Sequence, residues 1–129
     1  MIVVDTNILA YLYLPTEHTH KVEALLAKDP EWIAPILWRS EFRNVLALYL
    51  RKNLLTLEQA LEIQNEAEAL LQDNEFIVTS LDVLQLVKNS ECSAYDCEFV
   101  ALAQSMNVQL ITMDKRVLKN FPETAISLA

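Results

Sequence analysis

The sequence predicts an α/β domain in which a small parallel β-sheet is flanked by helices. Short apolar runs rich in β-branched residues recur along the chain, as strands require. Helical periodicities fill the intervals between them, and that alternation favours parallel strands covered by helices. At 129 residues, without a low-complexity linker or an internal repeat, the chain reads as one domain spanning 1–129.

The first strand is Ile2-Val3-Val4, followed by helices over 6–14 and 19–28. A second strand lies at about 32–34, and helical spacing resumes over 36–52 and 57–72. Thr56 and Gln59 stand at capping-box spacing before the second of these helices. No strand separates the two, so an αα-hairpin inserted into, or projecting from, the α/β layer is expected. A third strand is expected at 76–79 and a helix at 81–89. Ser93 and Asp96 repeat the cap spacing ahead of a helix over 94–106. A strand at about 109–112, a short helix at 115–120 and a last strand at 125–128 complete the pattern. Glycine is absent, so turns rest on Pro15, Pro30, Pro35 and Pro122 and on polar pairs such as Asp73-Asn74.

Composition narrows the function classes. The chain is 53% hydrophobic and 22% charged, which suits a globular domain, and no stretch approaches the roughly 18 apolar residues of a membrane span. The N-terminus opens on a strand without a basic segment or cleavage site, so no signal peptide and a cytoplasmic location are expected. Cys92 and Cys97 lack the partners for a zinc site or a disulfide framework and read as buried free thiols. A net charge of −8 repels a polyanion at long range. That objection weakens where acids bind divalent cations, because bound metals can be the largest local charges in a site.

Four acids occupy informative positions. Asp5 follows the first strand and Asp114 follows the strand ending at Thr112, which puts both at the carboxyl edge of a parallel sheet, where ligands bind. Either one alone is explained equally well as a helix cap; their recurrence at one edge argues for a site. Glu41 lies within "APILWRSEFRNVLALYLRKN", with Leu37, Trp38, Asn44, Val45 and Leu48 at helical spacing. This sets a carboxylate on a mostly apolar, core-facing stripe, while Arg39 and Arg43, two residues away on either side, project elsewhere. Asp96 shares its helix face with Phe99, Val100 and Ala103, although the cap with Ser93 is a strong alternative.

Four carboxylates gathered at one edge make a hard, oxygen-rich site suited to Mg²⁺ or Mn²⁺. Water attack on a phosphodiester, assisted by such an ion, is the chemistry that follows. No Walker loop, glycine-rich dinucleotide turn, Cys-His nucleophile pair or His-Glu-x-x-His stretch competes.

The ordered set, together with "VVDTNILAYLYL", "APILWRSEFRNVL" and "SAYDCEFVALAQSMNVQLITMD", resembles the PIN-domain family, in particular its small VapC-type ribonuclease toxins. The resemblance covers almost the whole chain. It implies a three-layer α/β/α fold and a Mg²⁺- or Mn²⁺-dependent endoribonuclease whose catalytic and metal-binding acids are Asp5, Glu41, Asp96 and Asp114. Thr6 and Asn7 match the family's polar first-motif positions, with Asn7 orienting a carboxylate or a metal water. Thr112 matches the hydroxyl that precedes the last acid. An RNA substrate, a small antitoxin protein and a homodimer are implied as partners.

The remaining features weigh less. Glu98 departs from the core motif and, 200° around the helix from Asp96, is expected to face solvent or a dimer partner. Lys115, Arg116 and Lys119 are candidates for RNA phosphate contacts, against the plainer reading of a solvated helix. His18 and His20, beside Glu17, read as surface residues, and Asp82 as a helix cap. Trp32, Trp38, Tyr11, Tyr13 and Tyr49 read as core or interface packing. A phosphatase of the haloacid-dehalogenase type needs a second Asp where Asn7 stands, and a signalling receiver domain needs an acid where Val4 stands. Neither accounts for Glu41 and Asp96. A non-catalytic binding module that keeps its acids is the third alternative.

Overall fold

A computed structural model, described over residues 1–128, contains five strands and seven helices in the order β1 (Ile2–Val4), α1 (Thr6–Tyr13), α2 (Thr19–Lys28), β2 (Trp32–Pro35), α3 (Trp38–Arg51), α4 (Leu57–Leu70), β3 (Glu75–Phe76), α5 (Ser80–Lys88), α6 (Ala94–Met106), β4 (Leu110–Thr112), α7 (Lys115–Asn120) and β5 (Ala125–Ser127). Every pairing is parallel, in the order β3-β2-β1-β4-β5. Strand order reverses between β1 and β4, which makes their carboxyl ends the topological switch point of the sheet.

Right-handed crossovers on either side of that reversal send α1–α4 to one face and α5–α7 to the other, producing three layers. Accordingly α6 packs on β1, β2 and β4, with α5 outside it, while α2, α3 and α4 gather around α1. β1 and β4 are buried along their whole length, as strands covered on both faces must be. The buried face of α6 includes Cys97, Phe99, Val100, Ala101, Leu102 and Ala103, wide enough to meet the sheet and α5 together. Cys92 and Cys97 are buried free thiols, as expected.

Two expectations change. The third strand is only Glu75–Phe76, and residues 77–79 are not strand. At the sheet edge Ile77 is exposed, so its β-branched run has no second neighbour to pair with. The helix pair α3–α4 is also no singular insertion: α1–α2 and α5–α6 are consecutive pairs of the same kind. The α3–α4 hairpin belongs to a layer, through its packing on α1.

Without glycine, left-handed backbone falls to Asn53, Asp73 and Asn107, at φ 57°, 67° and 54°. Asn and Asp tolerate this region better than other side chains. Each follows a helix end, where a left-handed residue lets the chain leave the last turn. The cap box at Thr56 and Gln59 forms in both directions. Among the described residues no helix is long and apolar enough to cross a membrane.

Candidate active site

The switch point gathers the acids. β1 ends at Val4 and delivers Asp5; the adjacent β4 ends at Thr112 and delivers Asp114 two residues later. The first turn of α6 brings Asp96, and the first turn of α3 brings Glu41. Asp5 is raised above its ordinary 3.8 by burial, further by the charges of Asp96 and Asp114, with the Thr112 hydrogen bond opposing. Burial likewise raises Glu41 and Asp96: Asp5, Asp96 and Glu98 add repulsion at Glu41, and Asp114 does so at Asp96, where Arg116 is a weaker opposing charge.

Two hydroxyls organise the cluster. Thr6 Oγ1 donates to Glu41 Oε1 at 2.7 Å and so ties the start of α1 to α3. Thr112, fully buried, donates to Asp5 Oδ2 at 2.7 Å and accepts the Asp114 backbone N–H at 3.0 Å. One hydroxyl therefore fixes the first and last acids relative to each other.

The capping alternatives divide. Asp5 occupies the N-cap position of α1 but makes no side-chain cap bond, which leaves its carboxylate to Thr112. Asp114 does cap α7, with Oδ1 accepting from the N–H groups of Arg116 at 2.9 Å and Val117 at 3.1 Å. Ser93 caps α6 by accepting from the Asp96 N–H at 3.1 Å. Capping thus orients Asp114 while its second oxygen accepts no hydrogen bond among the described residues.

Glu41 and Glu98 depart from expectation. The buried line of α3 is Trp38, Phe42 and Leu46, whereas Asn44 and Leu48 are exposed. Glu41 lies half-buried beside that line, at its edge, where it reaches the site. Arg39 and Arg43 face away from it, as helical spacing required: Arg39 binds Glu75 and Glu68, and Arg43 lines a groove between α3 and α4. Glu98 is half-buried and its charge acts on Glu41. With Ile36, Ile77, Val78 and Val83 it lines a depression of about 270 Å³ beside the acids. Asp96 and Glu98 both act on Glu41 through their charges; wheel spacing along α6 alone carries no information about that.

The other candidates sit further out. Asn7 is exposed on the first turn of α1 and makes no side-chain hydrogen bond among the described residues. Lys115, Arg116 and Lys119 are exposed on α7 and form no ion pair among the described residues. His18 stacks on Tyr11 at 4.8 Å and His20 is exposed near Glu23, so neither approaches the acids as a ligand pair. Asp82 lies in the first turn of α5, where Thr79 accepts its N–H. That turn is capped by Thr79, three residues before Asp82, and not by Asp82 itself.

The donor set suits a divalent cation. It is all carboxylate and hydroxyl oxygen, and the carboxylates repel one another, with Arg116 a weak compensating charge at Asp96. Hard oxygen ligands of this kind favour Mg²⁺ or Mn²⁺ over zinc. Among the described residues no three acids already converge at ligand spacing. The hydroxyls and the α7 cap hold one oxygen each of Asp5, Glu41 and Asp114, leaving the other free of side-chain bonds.

The domain is a five-stranded parallel α/β/α fold with acidic side chains at its switch point, where ligands of open parallel sheets bind. Residues 2–124 match the sequence profile of the PIN domain, and the chain belongs to that family. Ribonuclease VapC3 of Pyrobaculum aerophilum is 28% identical over 124 residues, covering 94% of this chain and 95% of that protein. The fold is similar to FitAcB from Neisseria gonorrhoeae, with a TM-score of 0.77 at 17% identity over 98% of this chain and 96% of that one. It is also similar to a chain of a toxin–antitoxin complex from Klebsiella pneumoniae, with a TM-score of 0.71 at 15% identity, covering 100% and 98%.

Proposed function

We propose that this protein is a Mg²⁺- or Mn²⁺-dependent endoribonuclease and the toxin member of a toxin–antitoxin pair. The observation that carries the reading is the placement of Asp5 and Asp114 at the ends of the adjacent strands β1 and β4, joined through Thr112, with Asp96 and Glu41 in first turns of helices nearby, where burial and then one another's charge raise Asp5, Glu41 and Asp96. Such a cluster is costly in an isolated fold and is relieved by a bound cation. Membership of the PIN family and the likeness to a ribonuclease support RNA as the substrate.

In this reading Asp5, Glu41, Asp96 and Asp114 hold the ion through their free oxygens. What such an ion supplies when bound is activation of water and neutralisation of charge on the scissile phosphate. Thr112 fixes the spacing of Asp5 and Asp114, and Thr6 aims Glu41. Asn7, on the exposed lip of α1, orients a carboxylate or water. Lys115, Arg116 and Lys119 flank the site as phosphate contacts. Charge reversal at these three should flatten the salt dependence of RNA binding by about one log–log unit per lost contact.

The likeness to a toxin–antitoxin complex chain supports a small protein inhibitor. Exposed Leu54, Leu57 and Leu61 at the α3–α4 hairpin offer apolar surface for a protein partner. A homodimer and a cytoplasmic location belong to the same reading. The deciding experiment incubates purified protein with single-stranded and structured RNA, with Mg²⁺, with Mn²⁺ and with neither, beside Asp5→Asn. Cleavage that requires the metal and Asp5 is expected; no cleavage in either metal, or equal cleavage by Asp5→Asn, rejects the proposal.

A further inference from the structure

We infer that Arg39 and Glu75 are positioning residues for Glu41, setting the rotation of α3 so that its carboxylate reaches the acidic site. The inference rests on the catalytic reading of Glu41 given above, and it begins with the way α3 starts. Its N-cap position is Leu37, which makes no side-chain cap; the N–H groups of Arg39, Ser40 and Glu41 bond to the carbonyls of Ile36 and Leu37, a local turn that does not orient the helix against the rest of the fold. α4, α5, α6 and α7 carry side-chain caps, whereas α1 and α2, like α3, do not. The helix that delivers Glu41 is therefore fixed at its start by something other than its own cap.

The fixing contact comes from the sheet edge. Glu75 on β3 accepts from Trp38 Nε1 at 2.7 Å, from Arg39 Nε at 2.6 Å and from Arg39 Nη2 at 2.6 Å. Arg39 Nη1 also reaches Glu68 of α4 at 3.1 Å. One carboxylate thus holds two consecutive residues of the first turn, and the two-pronged guanidinium contact defines direction as well as distance. The Glu75 side chain is 14% exposed and that of Arg39 33%, so the pair is only partly screened. Glu75 is itself held in register, since β3 pairs with β2 through Ala34 and Glu75 and through Pro35 and Phe76.

Helix geometry converts this clamp into aim. Trp38 and Glu41 are three residues apart, so they share one side of α3. On the clamp's side the Trp38 ring is buried and packs edge-on against Phe42 at 5.7 Å. On the site's side Thr6 holds Glu41 at 2.7 Å. Side chains extend about 5–6 Å from a helix axis, so a 20° rotation of α3 displaces the carboxylate by about 2 Å. Misplacement of about 1 Å can cost a hundredfold in rate. Arg39 and Glu75 touch neither substrate nor cation in this scheme; they act through Glu41.

The test compares Glu75→Gln, Arg39→Met and Arg39→Lys with Val22→Ala, which opens a hole in the core far from α3's start. In metal-free labelled protein, the nuclear Overhauser contact between the Thr6 γ-methyl and the Glu41 γ-methylene should weaken in Glu75→Gln and Arg39→Met. It should persist in Val22→Ala and partly recover in Arg39→Lys. Mn²⁺ affinity by titration calorimetry should fall about 10- to 100-fold in the first two variants, and kcat on RNA about 100-fold with KM little changed. Val22→Ala should lose Tm alone. If Glu75→Gln and Arg39→Met also lose only Tm, keeping the Thr6–Glu41 contact and the Mn²⁺ affinity, the positioning role is wrong. A wild type that binds no Mn²⁺ and cuts no RNA rejects the nuclease reading instead, and the Thr6–Glu41 contact still decides the positioning role.

Discussion

Replacing Thr112 by Val tests how the site is held together. The side chain is fully buried, and Val matches it in shape while removing the oxygen that serves Asp5 and Asp114. Loss of a hydrogen bond to an ionised carboxylate costs about 1.5–3 kcal/mol, and leaving the partly buried Asp114 N–H unpaired costs about 1 kcal/mol more. At about 4 °C per kcal/mol for a domain of this size, Tm should fall by about 10–16 °C at neutral pH. Thr112→Ser keeps the hydroxyl and loses one buried methyl, worth about 1 kcal/mol or about 4 °C. Thermal unfolding by circular dichroism in the presence of chelator measures both variants. RNA cleavage at a temperature where all are folded should show Thr112→Ser close to wild type and Thr112→Val strongly impaired. A Thr112→Val protein as stable as Thr112→Ser would refute the reasoning, because the hydroxyl would then be doing nothing its methyl neighbour does not.

Three further outcomes follow from the same electrostatics and capping. Asp5→Asn should abolish cleavage by more than the roughly 10- to 100-fold typical of losing an outer partner of a metal ligand. It should also leave the metal-free Tm unchanged or raise it, since it removes a desolvated, repelled charge; a large drop in Tm would contradict this. The raised values of Asp5, Glu41 and Asp96 contribute stability present below their ordinary range and lost as pH rises through the raised folded values. The Arg39 contact holds Glu75 below 4.5, so its contribution is present above that value and lost as pH falls through the lowered one. Chelated protein should therefore gain Tm as pH falls from neutrality through the raised values and lose it in stronger acid, as Glu75 protonates; a steady decline from neutrality would reverse the assignment. Thr56→Ala breaks the α4 cap box and should cost about 1 kcal/mol, read by urea unfolding, with cleavage per folded molecule unchanged.

Legibility in the sequence followed the range of the interactions. The capping box at Thr56 and Gln59 is a contact between neighbours, and it forms as read. The same is true of the helix at 115–120, whose start is capped by Asp114. The third strand was misjudged because Phe76-Ile77-Val78 has the composition of a strand, yet at a sheet edge only Glu75–Phe76 finds a partner. Glu98 is half-buried at a surface depression: helical spacing relates it to Asp96, but the action of its charge on Glu41 depends on the packing of separate helices.

Sequence by itself determined the parallel α/β layering and the place of Asp5 and Asp114 just after β1 and β4, because apolar periodicity and a carboxylate at a strand's end are local properties of the chain. It also separated Glu41 from Arg39 and Arg43, since helical spacing alone forbids those neighbours from facing it. Only the tertiary structure decided that Thr112 joins Asp5 to Asp114, that Thr6 holds Glu41, and that Glu75 pins the start of α3. Those bonds link residues 35 to 107 positions apart, apart from the Asp114 N–H to Thr112. Their partners become neighbours only when β1 pairs with β2 and β4 and β2 with β3, and no periodicity along one segment encodes the meeting of two.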